Sequence, residues 1–414
     1  MNRIQRTVSI RRNKSRLAFT LAAACAAAGW AQQPPAPAPA TPPPPSAPAP
    51  VTPPIPAQAP ATVEGDGLVA PGPAGGNQEA KDARPDGSRS AQNSAMRNEI
   101  TPELDEAVNR GLAYLVTEQG ADGSFGSGRY GKNIAVTALS CLALMADGNI
   151  PGRGPYGENV RKGLEFVLSS STETGLLAAD STNGPMYGHG FAALFLGEVY
   201  GMTQGGGETT QSTRVHEALV KACRLIERSQ NNEGGWRYNP VPYDADVSVT
   251  ICQIMALRSA RNAGIEVPKE TIDKAVEYVR QCQNPDGGFR YQLTSGFSAW
   301  PRSAAGVASL YYAGIYQDDA IERGQNYLIS QALPGATNAP GAHYFYGHYY
   351  SVQTMYLAGG EYWARWWPAI RTELTDRQQK DGSWADPSVG PAYGTAMALI
   401  ILQMPKRFLP IFQK

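Results

Sequence analysis

Two carboxylates stand two residues apart in Tyr243-Asp244-Ala245-Asp246, just before an apolar stretch of helical periodicity. Paired acids at such a place suit general acid-base work: one carboxyl alters the proton affinity of the other, and a helix start stabilises the anion left after proton transfer. Asp246 and Asp244 are therefore candidate site residues. Similar apolar stretches are opened by Tyr187-Gly188-His189-Gly190, Trp300-Pro301-Arg302-Ser303 and Tyr346-Gly347-His348-Tyr349-Tyr350. If these starts converge, two carboxylates, two imidazoles and a guanidinium share one rim, and Asp244, Asp246, His189 and His348 could hold a metal ion. The plainer reading stands beside each: Asp caps helices well, buried imidazoles satisfy core hydrogen bonds, and aromatic side chains pack.

Such convergence needs a scaffold that repeats. From Thr101 onward the chain alternates amphipathic segments with apolar, small-residue-rich ones, such as Leu104 to Glu118 followed by Ile134 to Met145. The amphipathic helices are expected near 104–118, 158–170, 214–229, 270–283, 319–331 and 364–380. The apolar ones are expected near 133–146, 189–200, 246–261, 303–314, 348–358 and 393–403. Between partners recurs a short phrase: Asp122-Gly123-Ser124-Phe125, Glu233-Gly234-Gly235-Trp236, Asp286-Gly287-Gly288-Phe289 and Asp381-Gly382-Ser383-Trp384. Degenerate copies are read at Asn183-Gly184-Pro185-Met186-Tyr187 and Gly341-Ala342-His343-Tyr344. The spacing is about 52 residues, so one helical hairpin has been copied six times. Apolar second helices predict an all-α toroid, an inner ring of six inside an outer ring of six, with an open superhelical stack as the competing arrangement.

In a closed toroid the inner helices start at one end of a central cavity. His189, His348, Tyr243, Trp300, Arg302, Tyr346 and Tyr349 are the candidate cavity-binding residues. Aromatic faces there suit a carbocation, an isoprenoid chain or a sugar. The phrase itself reads as joinery, because its glycines let the chain turn sharply. Trp363, Trp366 and Trp367 at the last outer helix seal the ring or face a partner.

The N-terminal quarter is of another kind. Six basic residues among the first 16, a short apolar run over 17–28 and Gly29-Trp30-Ala31 have the form of a secretory signal over residues 1–31, too short to span a bilayer. Residues 32–98 form a linker, its first half holding 14 of the 33 prolines. The toroid is assigned to 99–414. A secreted or periplasmic location follows, with a lipid anchor at Cys25 as the lesser alternative. Without the signal the chain has 30 basic against 36 acidic side chains, a net of about −6, which argues against a nucleic-acid partner. No transmembrane helix is expected in the mature chain. Cys141, Cys223, Cys252 and Cys282 lie in apolar helical patterns and read as small buried hydrophobes.

Ser229-Gln230-Asn231-Asn232-Glu233-Gly234-Gly235-Trp236, Gln283-Asn284-Pro285-Asp286-Gly287-Gly288-Phe289 and Gln379-Lys380-Asp381-Gly382-Ser383-Trp384 resemble the QW-type repeats of squalene-hopene cyclases and of protein prenyltransferase β subunits. The resemblance covers residues 101 to 414 and implies an α/α toroid. It matches Asp246 to the cyclase aspartate that protonates an alkene, with Asp244 in support; the third Asp of that motif is Val247 here, and the chain has residues for one helical barrel where those cyclases have two. The prenyltransferases carry an Asp-x-Cys zinc pair at the same place, where this chain has Asp246 instead of the thiolate and His348 as a loose match to a later His. One implied function is a class II terpene cyclase-like isomerase without a cofactor. The alternative is a non-catalytic toroid that binds a hydrophobic small molecule, a glycan or a protein at the cell envelope. A polysaccharide-acting enzyme is a third possibility.

Overall fold

The computed structural model describes residues 99–179, 184–203, 209–294, 296–336 and 341–413. The signal-like start, the linker and Cys25 lie outside them. Twelve α-helices make up the described residues, which contain isolated bridges and no β-strand. They are α1 (Pro102–Thr117), α2 (Ile134–Met145), α3 (Gly157–Ser169), α4 (Met186–Thr203), α5 (Thr210–Ser229), α6 (Val247–Asn262), α7 (Lys269–Gln281), α8 (Trp300–Tyr312), α9 (Asp319–Ala332), α10 (Tyr344–Ala358), α11 (Gly360–Arg377) and α12 (Pro391–Leu402). Their ends differ from the expected ones by at most four residues.

The two helix classes differ as their patterns demand. In α1 a stripe of Leu104, Val108, Leu112 and Leu115 is buried, while the Thr101 hydroxyl accepts from the Leu104 N–H and Pro102 fills the first turn. In α2 every residue except Ala135 is buried, and in α12 all except Pro391 and Tyr393. Each buried Leu, Ile or Val contributes roughly 1.5–3 kcal/mol. The even-numbered helices therefore dominate the core. Along the chain α4 packs on α2 and α6, α8 packs on α6 and α10, and α12 packs on both α10 and α2. The odd-numbered helices lie against these, α3 on α2, α5 on α4, α9 on α8, α11 on α10 and α1 on α12. Gly190 and Gly197 of α4 admit α6 so closely that a Cβ would meet Cys252 and Ser259 at 2.7 and 2.4 Å.

The repeated phrase joins neighbours. Gly123, Gly234, Gly287 and Gly382 have φ between 85 and 98°, and a Cβ on any of them would strike the carbonyl of Lys162, Lys274, Arg323 or Arg110 in the next outer helix. The preceding Gln119, Gln230, Gln283 and Gln378 use one amide each to bond both the turn's own glycine carbonyl and that neighbouring helix, at 2.8–3.0 Å. The second copy is not where the sequence pattern put it. Its turn is Thr172–Leu176, with Gly175 at φ 86° against the Lys221 carbonyl; Asn183 lies outside the described residues, and Gly184 abuts Tyr238 instead. The turn was overlooked because it lacks the aromatic, which Leu177 replaces. In the fifth repeat a turn forms at Leu333–Ala336, whereas Gly341–His343 leads directly into α10.

Both ends of the domain are tied down. The indoles of Trp363 and Trp367, stacked 5.0 Å apart, donate to the Glu99 side chain and backbone. At the other terminus Gln403 bonds the Ala143 carbonyl, Lys406 pairs with Asp147, and the turn Pro410–Phe412 packs on α4 and α6. The four cysteines among the described residues are buried and unpaired. No helix among the described residues is long and apolar enough to cross a membrane.

Candidate functional site

Asp246 is the N-cap of α6: its Oδ1 accepts from the Val249 N–H at 2.9 Å, and its own N–H donates to the Trp236 carbonyl at 3.0 Å. The Trp236 N–H in turn donates to Thr250 Oγ1. The third phrase therefore pins both ends of the loop that carries Asp244. Arg237, directly after the phrase, spans the two acids. Its guanidinium pairs with Asp244, its Nε lies 3.6 Å from Asp246 Oδ2, and it stacks 5.0 and 5.6 Å from the rings of Tyr238 and Tyr291. Exposure falls steeply along this row, from 42% for the Asp244 side chain through 13% for Arg237 to 0% for Asp246.

Burial pushes the Asp246 carboxyl up to about 7, against the opposing pull of the Val249 N–H, Arg237, the Ser248 N–H and Tyr291. The helix start and the guanidinium limit the rise without cancelling it. Burial likewise raises the neighbouring Tyr187 and Tyr346 hydroxyls well above their ordinary value. Around this acid the environment is aromatic and buried.

The tyrosines of α10 reach away from their own neighbours. The Tyr346 hydroxyl donates to the Ser248 carbonyl of α6 at 3.1 Å, the Tyr350 hydroxyl lies 3.4 Å from Cys252 Sγ of α6, and Tyr349 meets Phe191 of α4 edge-on at 6.2 Å. Tyr346 and Tyr350 thus link α10 to α6, and Tyr349 links it to α4, although α8 packs between α6 and α10.

The other candidates are dispersed. Tyr243 is 86% exposed on the loop before α6. Arg302 donates to the carbonyls of Phe289 and Phe297 and so holds the loop before its own helix. His189 is fully buried: Nδ1 accepts from the Leu177 N–H at 3.1 Å, so Nε2 carries the proton and donates to the Ala222 carbonyl at 3.2 Å. It occupies the position at which Thr137, Thr250, Ser303 and Thr395 accept from the N–H of the phrase aromatic. Desolvation pushes its imidazole down to about 4. His348 lies between Trp300, Tyr344 and Trp366, with ring centroids 4.8, 4.4 and 5.8 Å away, and is pushed down to about 3 by burial. Asp244, Asp246, His189 and His348 thus form no common ligand set, and no group of three metal-ligating side chains occurs among the described residues.

Two residues escaped the sequence reading. Arg237 was legible as a cation directly after the third phrase. Glu198 was legible as a lone acid in the apolar α4; it is buried, with Oε1 2.6 Å from Ser259 Oγ and Oε2 accepting from the Ile411 N–H at 3.0 Å.

No protein-family model matches the chain. A drimenyl diphosphate synthase from Streptomyces showdoensis is 26% identical over 186 residues, 44% of this chain and 32% of that protein, so the match spans about a third of the relative's length. Among solved structures, the type II terpene cyclase MstE from Scytonema superposes with a TM-score of 0.51 at 14% identity, covering 75% of this chain and 100% of its own. A variant of it in complex with geranylgeranyl dihydroxybenzoate gives 0.51 at 15%, over 74% and 98%. An α-1,6-mannanase, GH76A of Salegentibacter sp. HEL1_6, gives 0.56 at 8%, over 72% and 98%. At such identities the likeness is one of fold. The resemblance read from the repeated turns therefore holds at that level: this chain has the all-helical, α/α-toroid type of fold of the type II terpene cyclase MstE.

Proposed function

We propose that this chain is a terpene cyclase-like protein that takes an isoprenoid-type ligand into the space between its even-numbered helices, with Asp246 as general acid. In this reading the helices form two concentric rings of six, and α12 on α2 is the closing contact. The observation that carries it is the buried Asp246 carboxyl at the start of α6, with Arg237 Nε 3.6 Å from its outer oxygen. A carboxyl in a dry site keeps its proton near neutral pH. On transfer, the O–H bond breaks, the alkene π pair forms the new C–H bond, and a cation is left on the adjacent carbon. The helix start and Arg237 stabilise the carboxylate left behind, and faces such as those of Tyr187 and Tyr346 stabilise the cation. Asp244 supports the acid through Arg237. We further propose export by the N-terminal signal, with the linker as a tether.

The test is incubation of the full mature chain with a panel of polyprenes and prenyl diphosphates, with products read by mass spectrometry. Turnover that falls roughly 10²–10⁴-fold in Asp246→Asn is expected; an unchanged rate in that variant contradicts the assignment. A second reading, a non-catalytic toroid that binds a hydrophobic molecule, a glycan or an envelope protein, is favoured by the buried aromatic contacts of Tyr346, Tyr349 and Tyr350 with α6 and α4. It predicts a tightly bound molecule in mass spectra of the purified protein, unaffected by Asp246→Asn.

A further inference from the structure

Arg237 Nε and Asp246 Oδ2 are both buried, lie 3.6 Å apart, and neither meets a partner at hydrogen-bonding geometry among the described residues. A buried guanidinium N–H left unused beside a buried carboxyl oxygen left unused is costly unless the pair serves a second state. The guanidinium is held short of closing that distance while Asp246 keeps its proton. Asp244 engages its other end from the solvent side, and the rings of Tyr238 and Tyr291, whose hydroxyls bond each other, bracket its plane. The backbone clasp between Trp236 and Asp246 fixes both residues from below.

The charges alternate inward. Asp244 and Arg237 together are neutral, so a protonated Asp246 completes a neutral cluster, whereas an ionised Asp246 leaves one net negative charge on a group buried from bulk solvent. The other titratable neighbours add no competing charge: Tyr187 comes from α4, Tyr346 from α10, Cys252 from α6 itself, Tyr278 and Cys282 from α7 and its C-terminal end, and Tyr291, whose hydroxyl also pulls on Asp246, from the loop before α8, all neutral at ordinary pH because burial raises their pKa.

We propose that Arg237 and Asp244 are a pair of positioning residues that act on Asp246 in opposite senses: Asp244 restrains the guanidinium so that Asp246 keeps its proton, and Arg237 Nε receives the carboxylate once the proton has left. This rests on the reading of Asp246 as an acid and names the devices that would load and discharge it. The interaction is stronger after proton transfer than before, which is what an effect on rate requires. No co-reactant is involved; once Asp246 is ionised, its carboxylate and the guanidinium close the roughly 0.8 Å that separates 3.6 Å from a charged hydrogen bond, against the hold of Asp244.

The experiment is a pH titration of the Asp246 carboxyl by ¹³C NMR on the full mature chain labelled at Asp Cγ, the resonance being assigned by its loss in Asp246→Asn. Asp244→Asn is expected to lower the midpoint by about one pH unit, and Arg237→Met to raise it by about one unit or more. The double variant should follow Arg237→Met alone, because Asp244 acts through Arg237. A purely structural role would move the two single variants in the same direction or leave both unmoved, and either result overturns the inference. Asp244 is partly exposed, so Asp244→Asn retains the fold; should Arg237→Met not fold, Arg237→Lys, with its charge kept and its fork lost, is expected to give a smaller rise, and no shift there counts against the proposal. A wild-type midpoint in the ordinary carboxylate range removes the acid reading itself. A wild-type midpoint near 7 with unmoved variants removes only this inference.

Discussion

Gly382, in the last turn before α12, lies on the Arg110 carbonyl of α1, so the final repeat rests on the first: a Cβ at Gly382 would sit 2.6 Å from that oxygen. The Gln378 amide adds hydrogen bonds to Ala107 and Gly382 across the same junction. Gly123, Gly175, Gly234 and Gly287 make the same contact with Lys162, Lys221, Lys274 and Arg323 of the next outer helix. At the last turn the neighbour is α1, the first of the described helices.

Gly382→Ala combines a positive φ with a backbone clash and is expected to destabilise the protein by about 2–3 kcal/mol. Gly128→Ala, at a positive φ with nothing within 4 Å, should cost only about 1 kcal/mol. Urea midpoints of the two variants check this. Equal losses would mean that the junction at Arg110 contributes nothing beyond the turn's own conformation.

His189 takes the place of a hydroxyl. His189→Ala strands the buried Leu177 N–H and Ala222 carbonyl and should cost about 2–4 kcal/mol, while His189→Thr restores the first bond and recovers roughly half. The wild-type imidazole is also acid-sensitive. Its pKa falls from 6.5 unfolded to about 4 folded, so its contribution is fully present above pH 6.5 and is lost as pH falls through 4, about 3 kcal/mol in all. Melting temperatures between pH 3.5 and 7.5 should therefore fall less steeply for His189→Thr than for the wild type. Parallel curves would refute a buried neutral imidazole.

Glu198 carries the opposite sign. Burial raises its carboxyl to about 7, against Ser259 and the Ile411 N–H. The folded protein holds this proton to higher pH than the unfolded chain, so the contribution is present below about 4.5 and lost as pH rises through 7, again about 3 kcal/mol. Glu198→Gln can still accept from the Ile411 N–H and keeps a neutral polar group against Ser259. It should match the wild type at pH 4 and exceed it in stability at pH 8.5, as read by thermal melting. A variant less stable than the wild type at pH 8.5 would show that the charge itself holds the C-terminal segment.

The fold was legible because its signals are local and repeated. A helical period twelve times over, and Gln, Gly and an aromatic at fixed offsets, state where helices lie and where they turn. The second turn was misplaced for a physical reason: Leu177 buries as well as an aromatic and His189 supplies the acceptor, so the hydrogen bond survives while the motif disappears. The candidate site was legible in part. Asp246 as a buried cap of α6 follows from its place before an apolar helix, and Asp244 as its exposed neighbour follows from the loop. Which first-turn residues face one another depends on packing between helices distant in sequence, and no spacing encodes it. Thus Arg302 turned out to bond its own loop, Tyr243 faces solvent, and Tyr346, Tyr349 and Tyr350 reach α4 and α6.

The central claim is that Asp246 delivers a proton to an isoprenoid bound among these helices. Incubation of the full mature chain in D₂O with a polyprene substrate, followed by mass spectrometry of the product, tests it most directly. The account predicts a cyclised product carrying deuterium from the initiating step in the wild type, and its loss in Asp246→Asn. Cyclised product at an unchanged rate in Asp246→Asn, or no turnover of any polyprene by the folded wild type, would contradict it.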